Sequence, residues 1–102
     1  MRVITRKRLR EFAERYPDAA EPLGKWESVV REAGWTSLQD VRRVFPHADA
    51  AIVASENTVT VFNIGGNKYR LITAIHYNTQ RIFVLRLLTH AAYSKDLWKD
   101  TL

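Results

Sequence analysis

The hydrophobic period changes at Pro46, and no other feature of the chain constrains its fold as much. Before Pro46, apolar residues recur every three to four positions, as on one face of a helix. After it they alternate, or run together in short β-branched segments. A chain with helices first and strands after belongs to the α+β class rather than to repeated βαβ units. Residues 6–16 place Leu9, Phe12, Ala13 and Tyr16 on one helical stripe and Arg6, Lys7, Arg10 and Glu14 on the wet face. Thr5 stands where a cap belongs, and Pro17 ends the pattern. Asp18 with Glu21 three positions on predicts a capping-box start for a second helix. Its apolar face is Leu23, Trp26, Val29, Val30 and Ala33, with Gly34 as the stop. Ser37 opens a third helix with Leu38, Val41, Val44 and Phe45 inward, closed by Pro46.

Residues 1–5 are weakly alternating and β-branched, which predicts a short strand. Further strands are expected at 51–54, 58–63, 68–77 and 81–88. Turns are expected at Ile64-Gly65-Gly66-Asn67 and Asn78-Thr79-Gln80. Connections that short make neighbouring strands antiparallel. Residues 91–98 read as a last helical turn or two. The expected architecture is N-terminal helices packed on a small antiparallel sheet, in a single domain over 1–102. At 102 residues and 46% hydrophobic, the chain has enough apolar surface for one core and not two. There is no Cys, which removes disulfides, Cys-ligated zinc and thiol catalysis together. No apolar run approaches the roughly 18 residues of a membrane span, and the basic N-terminus has no apolar run after it, as a secretory signal would. These features predict a soluble, cytoplasmic chain.

The location of the charge says more than the net +5. Residues 1–56 are nearly neutral, with ten basic and nine acidic side chains. Residues 57–95 hold no Asp or Glu at all, but carry Lys68, Arg70, Arg81, Arg86 and Lys95. A field concentrated in this way attracts polyanions, with a salt-dependent affinity.

Alternation along 68–77 sends Tyr69, Leu71, Thr73, Ile75 and Tyr77 one way and Lys68, Arg70, Ile72, Ala74 and His76 the other. Two cations, Lys68 and Arg70, then share one face. Arg86 interrupts an otherwise apolar strand, so it faces a groove or partner, or else pairs with a helix carboxylate. His90 and Tyr93 stand three apart just beyond that strand, close enough to meet if a helical turn begins there. A lone His in such a place is ordinarily a capping or core residue. Together with Lys68 and Arg70, however, it supplies what metal-free RNA cleavage requires. A 2′-hydroxyl must lose a proton, a pentavalent phosphate needs its charge compensated, and the leaving 5′-oxygen must gain a proton. His47, His76 and His90 are scattered, so no metal-ligand spacing is present, and neither a phosphate-binding loop nor a nucleophile elbow occurs.

The segments "VFNIGGNKYRLI" and "LLTHAAYSKDLW" resemble the HigB family of toxins from bacterial type II toxin–antitoxin systems. The opening "MRVITRKRLREFAERYP" and the "VFP" after the third helix resemble it too, so the likeness covers effectively the whole chain. It implies the RelE-like toxin fold, with the N-terminal strand joining the sheet. It also implies a ribosome-dependent mRNA interferase that cuts mRNA in the ribosomal A site by 2′-hydroxyl attack without metal or cofactor. The implied partner is a HigA-like helix-turn-helix antitoxin. Asn67, Lys68 and Arg70 match the "GNKYR" element, Thr89, His90 and Tyr93 the "TH..Y" element, and Trp98 the closing Trp. On this resemblance His90 is the general acid or base, and Tyr93 orients it or the base at the cut. Lys68 and Arg70 stabilise the phosphate, while Asn67, Arg81, Arg86 and Lys95 contact RNA.

Two departures stand out. Ala92 and Ser94 replace the acids of the family's frequent "THAEYDK" ending, and Leu85 stands where many relatives are basic. Simple alternation puts Arg86 on the face opposite Leu85, unless a bulge intervenes. The alternative to an enzyme is a non-catalytic RNA-, ribosome- or antitoxin-binding module that kept the fold.

Overall fold

The computed structural model describes all 102 residues, Met1–Leu102. The chain begins with strand β1 (Arg2–Ile4) and helix α1 (Arg6–Arg15). A 3-10 turn at Pro17–Ala19 leads into α2 (Ala20–Glu32), and α3 (Leu38–Val44) follows. Four strands come next: β2 (Asp49–Ile52), β3 (Thr58–Ile64), β4 (Tyr69–His76) and β5 (Arg81–Thr89). Helix α4 (His90–Ser94) and a 3-10 segment, Leu97–Thr101, complete the chain. The sheet order is β1-β5-β4-β3-β2. Strands β2 to β5 form an antiparallel meander, and β1 joins its edge parallel to β5. The α+β expectation holds, including the N-terminal strand.

The helices cover one face of the sheet. Phe62 of β3 is at the hub there. Its ring centroid lies 5.4 Å from Trp26, 6.3 Å from Trp35 and 5.2 Å from Phe45. Leu23, Val30, Val41, Leu71, Ile82 and Val84 fill the space around these rings. The opposite face carries a smaller cluster of Val53, Val59, Val61, Ile72 and Trp98. Val53, Val59, Val61 and Ile72 belong to the sheet and its loops, whereas Trp98 comes from the last 3-10 segment. That segment is tied across the face by Ala54, whose N–H donates to the Lys99 carbonyl at 2.9 Å. We call this the open face.

Several local expectations are corrected. Asp18 caps nothing: α2 has no side-chain cap, and the Asp18 carboxylate reaches β4 instead. Gly34 is not a left-handed stop, because α2 ends at Glu32 with Ala33 extended. The α-amino group of Met1 takes up the exposed carbonyls there, donating to Val30 at 3.0 Å and Ala33 at 2.5 Å. Ser37 does cap α3, accepting from the Asp40 N–H at 3.4 Å. Strand β2 lies two residues earlier than its sequence suggests, since pairing with β3 decides its ends.

Simple alternation fails once along β5. Ile72 pairs with Arg86 but the next residue, Thr73, pairs with Val84, so Leu85 is a bulge. A bulge gives two successive residues to one face. Leu85 packs in the open-face cluster, and Arg86 stands opposite Ile72 of the same cluster. Beyond Phe83, β1 has ended and the edge of β5 is bare. Arg8 of α1 covers it there, donating from Nη1 to the carbonyls of Val84 at 3.1 Å and Leu85 at 3.3 Å.

Candidate active site

The turn before β4 needs two residues at positive φ, and Gly65 (+65°) and Gly66 (+69°) supply them. The turn brings Asn67 back over the start of β4. There Arg70, half-buried on the open face, is held by three acceptors. Its Nη2 donates to Asn67 Oδ1 at 2.5 Å, and its Nη1 donates to the carbonyls of Asn67 at 3.3 Å and Tyr69 at 3.2 Å. The guanidinium also lies 5.5 Å from the ring centroid of Tyr93, within cation–π range.

Tyr93 comes from α4, which is fastened at the other end of the same ladder. Thr89 pairs with Tyr69 across β4 and β5. The His90 N–H donates to the Lys68 carbonyl at 2.9 Å. Thr89 Oγ1 caps α4 by accepting from Ala92 N–H at 3.2 Å. Ser94 donates its hydroxyl to the His90 carbonyl at 2.8 Å. The Tyr93 ring stacks on Trp98 at 5.4 Å and 19°, and Trp98 Nε1 donates to the Tyr93 carbonyl at 3.1 Å. His90 itself is exposed, and its imidazole makes no hydrogen bond within the chain. An unengaged imidazole can exchange a proton with a bound substrate, and a fixed guanidinium at the same end of the ladder can compensate negative charge.

Four predicted site residues therefore meet at one end of the β4–β5 ladder: Asn67, Arg70, His90 and Tyr93. Lys68 is adjacent, but its side chain does not share the face of Arg70. It precedes the strand, where alternation has not begun, and its Nζ donates to Asp18 Oδ2 at 2.6 Å. The Tyr69 hydroxyl donates to Asp18 Oδ1, also at 2.6 Å. The hydrogen bonds from Lys68 and Tyr69 hold the Asp18 carboxyl below its usual pKa, and the same contact pushes the Tyr69 phenol up to about 12. Sequence reasoning missed Asp18 in this role, because nothing local links it to a lysine fifty positions on.

The remaining predicted contacts spread outward. Arg86 reaches the open face through the bulge and donates to Thr101 Oγ1 of the last segment. Lys95 caps the end of α4 and is exposed. Arg81 begins β5 opposite His76, at the far end from His90. At about 3.3 Å per residue the Thr89 end of β5 is roughly 26 Å away, so Arg81 is not part of the cluster.

The chain as a whole is similar to known proteins. Residues 19–96 match the family model HigB_toxin, described as the RelE-like toxic component of a toxin-antitoxin system. The chain is 30% identical over 95 residues to an mRNA interferase HigB of Escherichia coli O6:H1, covering 93% of this chain and 90% of that protein. It is 27% identical over 93 residues to the mRNA interferase toxin HigB of Escherichia coli strain K12, covering 91% and 88%. The mRNA interferase HigB of Shigella flexneri matches at the same identity and coverage.

Proposed function

The chain belongs to the HigB toxin family, and from that premise we propose how its open face performs the work of a toxin. It is an mRNA interferase, an endoribonuclease of a toxin–antitoxin system. We assign cleavage to the end of the β4–β5 ladder where Arg70, His90 and Tyr93 meet. The observation that carries this assignment is the Arg70 guanidinium, fixed by three acceptors and set against the ring of Tyr93, with the first residue of α4, His90, tied by its N–H to the Lys68 carbonyl.

The 2′-hydroxyl of the substrate attacks the adjacent phosphorus, and the bond to the 5′-oxygen breaks. Arg70 stabilises the extra charge on the pentavalent phosphate, where a preoriented donor is worth most. His90 moves the proton, as base from the 2′-hydroxyl or as acid to the leaving 5′-oxygen. Tyr93, stacked on Trp98, orients the reacting nucleotide. Lys68, neutralised by Asp18, adds little direct phosphate contact through its ammonium, but its carbonyl holds the first residue of α4. Arg86, Lys95 and, further along the sheet, Arg81 attract the RNA backbone, with Asn67 beside the scissile phosphate.

We further propose that the substrate is mRNA in the ribosomal A site and that a HigA-like antitoxin neutralises the chain. The test is mRNA cleavage in a reconstituted translation reaction, mapped by primer extension with and without ribosomes. Cuts that require ribosomes and disappear in His90→Ala and Arg70→Ala support the assignment. Cuts that persist in both variants place the chemistry elsewhere. Ribosome binding without any cut by the wild type means a binding module that kept the fold.

A further inference from the structure

Asn67 has a side chain that points back into its own chain. Its Oδ1 accepts from Arg70 Nη2 at 2.5 Å, and its carbonyl accepts from Nη1 at 3.3 Å. Two of the three acceptors that hold Arg70 therefore belong to one residue. The third, the Tyr69 carbonyl at 3.2 Å, belongs to the strand itself. A guanidinium has five N–H donors in a rigid fork. With three used in this way, Nε–H and one Nη2–H remain for a phosphate. The two left-handed glycines before Asn67 are what allow its oxygen to reach the fork.

We infer that Asn67 is a positioning residue, which acts on RNA through Arg70 and does not read the RNA with its own amide. This rests on the assignment of Arg70 to the scissile phosphate. It turns the expected RNA contact of Asn67 into an internal one. Without Oδ1, the long arginine side chain regains rotational freedom at its tip. The fork then meets the transition state in the wrong orientation, and displacements of about 1 Å in a catalytic group cost up to about 100-fold in rate. Binding of the charge in the ground state is less demanding, so the loss falls on the maximal rate.

The experiment is single-turnover cleavage of ribosome-bound mRNA across a titration of the full chain, for wild type, Asn67→Ala and Asn67→Asp. Urea denaturation confirms that each variant folds. Asn67→Ala should lower the maximal rate about 10-fold and leave the half-saturating concentration within about 2-fold. Asn67→Asp keeps an acceptor for Arg70 but has no amide N–H, so it should recover most of the lost rate. If Asp and Ala are equally impaired, or if the loss lies in the half-saturating concentration, Asn67 reads the RNA itself and the inference is overturned. An Asn67→Ala rate equal to wild type overturns it as well. A wild type that does not cut, or an Arg70→Ala variant that cuts normally, instead removes the site assignment on which the inference rests.

Discussion

On the helix side of the sheet, Phe62 is ringed by Trp26, Trp35 and Phe45 at centroid distances of 5.2–6.3 Å. On the open side, Trp98 is the one buried aromatic, and its neighbour Tyr93 is only half-buried with Arg70 over its ring. The same strands make both faces. Leu71 is wholly buried among the helices, while Arg70, one residue before it, lies half-buried with Tyr93. Alternation thus lets one strand hold the fold with one residue and carry charge with the next. The difference teaches that stability and chemistry are separable here at single-residue spacing.

That separation is open to direct attack. The largest effect is expected from His90→Ala. Its loss should lower mRNA cleavage by about 10²–10⁴-fold, the usual range for a general acid or base. The urea midpoint should stay unchanged, because the imidazole is exposed and unbonded. A matching fall in stability would join the two faces. Next come the neighbours Leu71 and Arg70. Leu71→Ala should destabilise by about 2–5 kcal/mol through the cavity it leaves. Arg70→Ala should cost about 1–2 kcal/mol, less than the cavity left by Leu71→Ala, and yet lose activity. Chemical denaturation of the pair, run beside the cleavage reaction, sharpens the contrast.

Arg8→Ala is a subtler probe, since Arg8 reaches the bulge from the helix side. Removing its bonds to Val84 and Leu85 should cost about 1–2 kcal/mol, seen as a lower urea midpoint. Faster amide exchange at β5 beyond Phe83 should accompany it. The smallest effect concerns pH. Asp18 titrates below its ordinary value because it accepts from Lys68 and Tyr69. A depressed carboxyl contributes stability at neutral pH that is lost as pH falls from about 4 through the folded value. Tyr69, raised to about 12, contributes below its ordinary value near 10 and loses that contribution as pH rises toward 12. Thermal melts across pH should show both limbs in the wild type and a flatter profile in Asp18→Asn. Identical profiles would mean that the contact is too solvated to matter.

Much of this was legible in the residues. The stripe Leu9, Phe12, Ala13 and Tyr16 with Pro17 after it located α1 to within a residue, and Ser37 located α3. The Gly65-Gly66 turn and the strands on either side of it followed from φ preference and β-branching. Asn67, Arg70, His90 and Tyr93 came from the two C-terminal motifs. Other features were hidden for identifiable reasons. Asp18 looks like a cap because capping signals are local, and its real partners are fifty and fifty-one residues away. Lys68 looked like a companion of Arg70 because alternation was extended into a turn. The bulge at Leu85 leaves no mark in the apolar run Ile82–Leu85, although it decides where Arg86 goes.

Period, breakers and charge placement are properties of neighbouring residues, so the order of helices and strands, the acid-free cationic half and the family were determined by the sequence itself. Register is a property of pairs. Which residues of β4 and β5 face each other, which face receives Arg86, and whether the ammonium of Lys68 is free or neutralised depend on contacts across tens of residues. The energies that settle them, edge hydrogen bonds from Arg8 and the packing of Phe62, exist only once the chain has folded. Tertiary structure alone therefore decided that Arg70 is held by its own turn, and that His90 is tied to the start of β4.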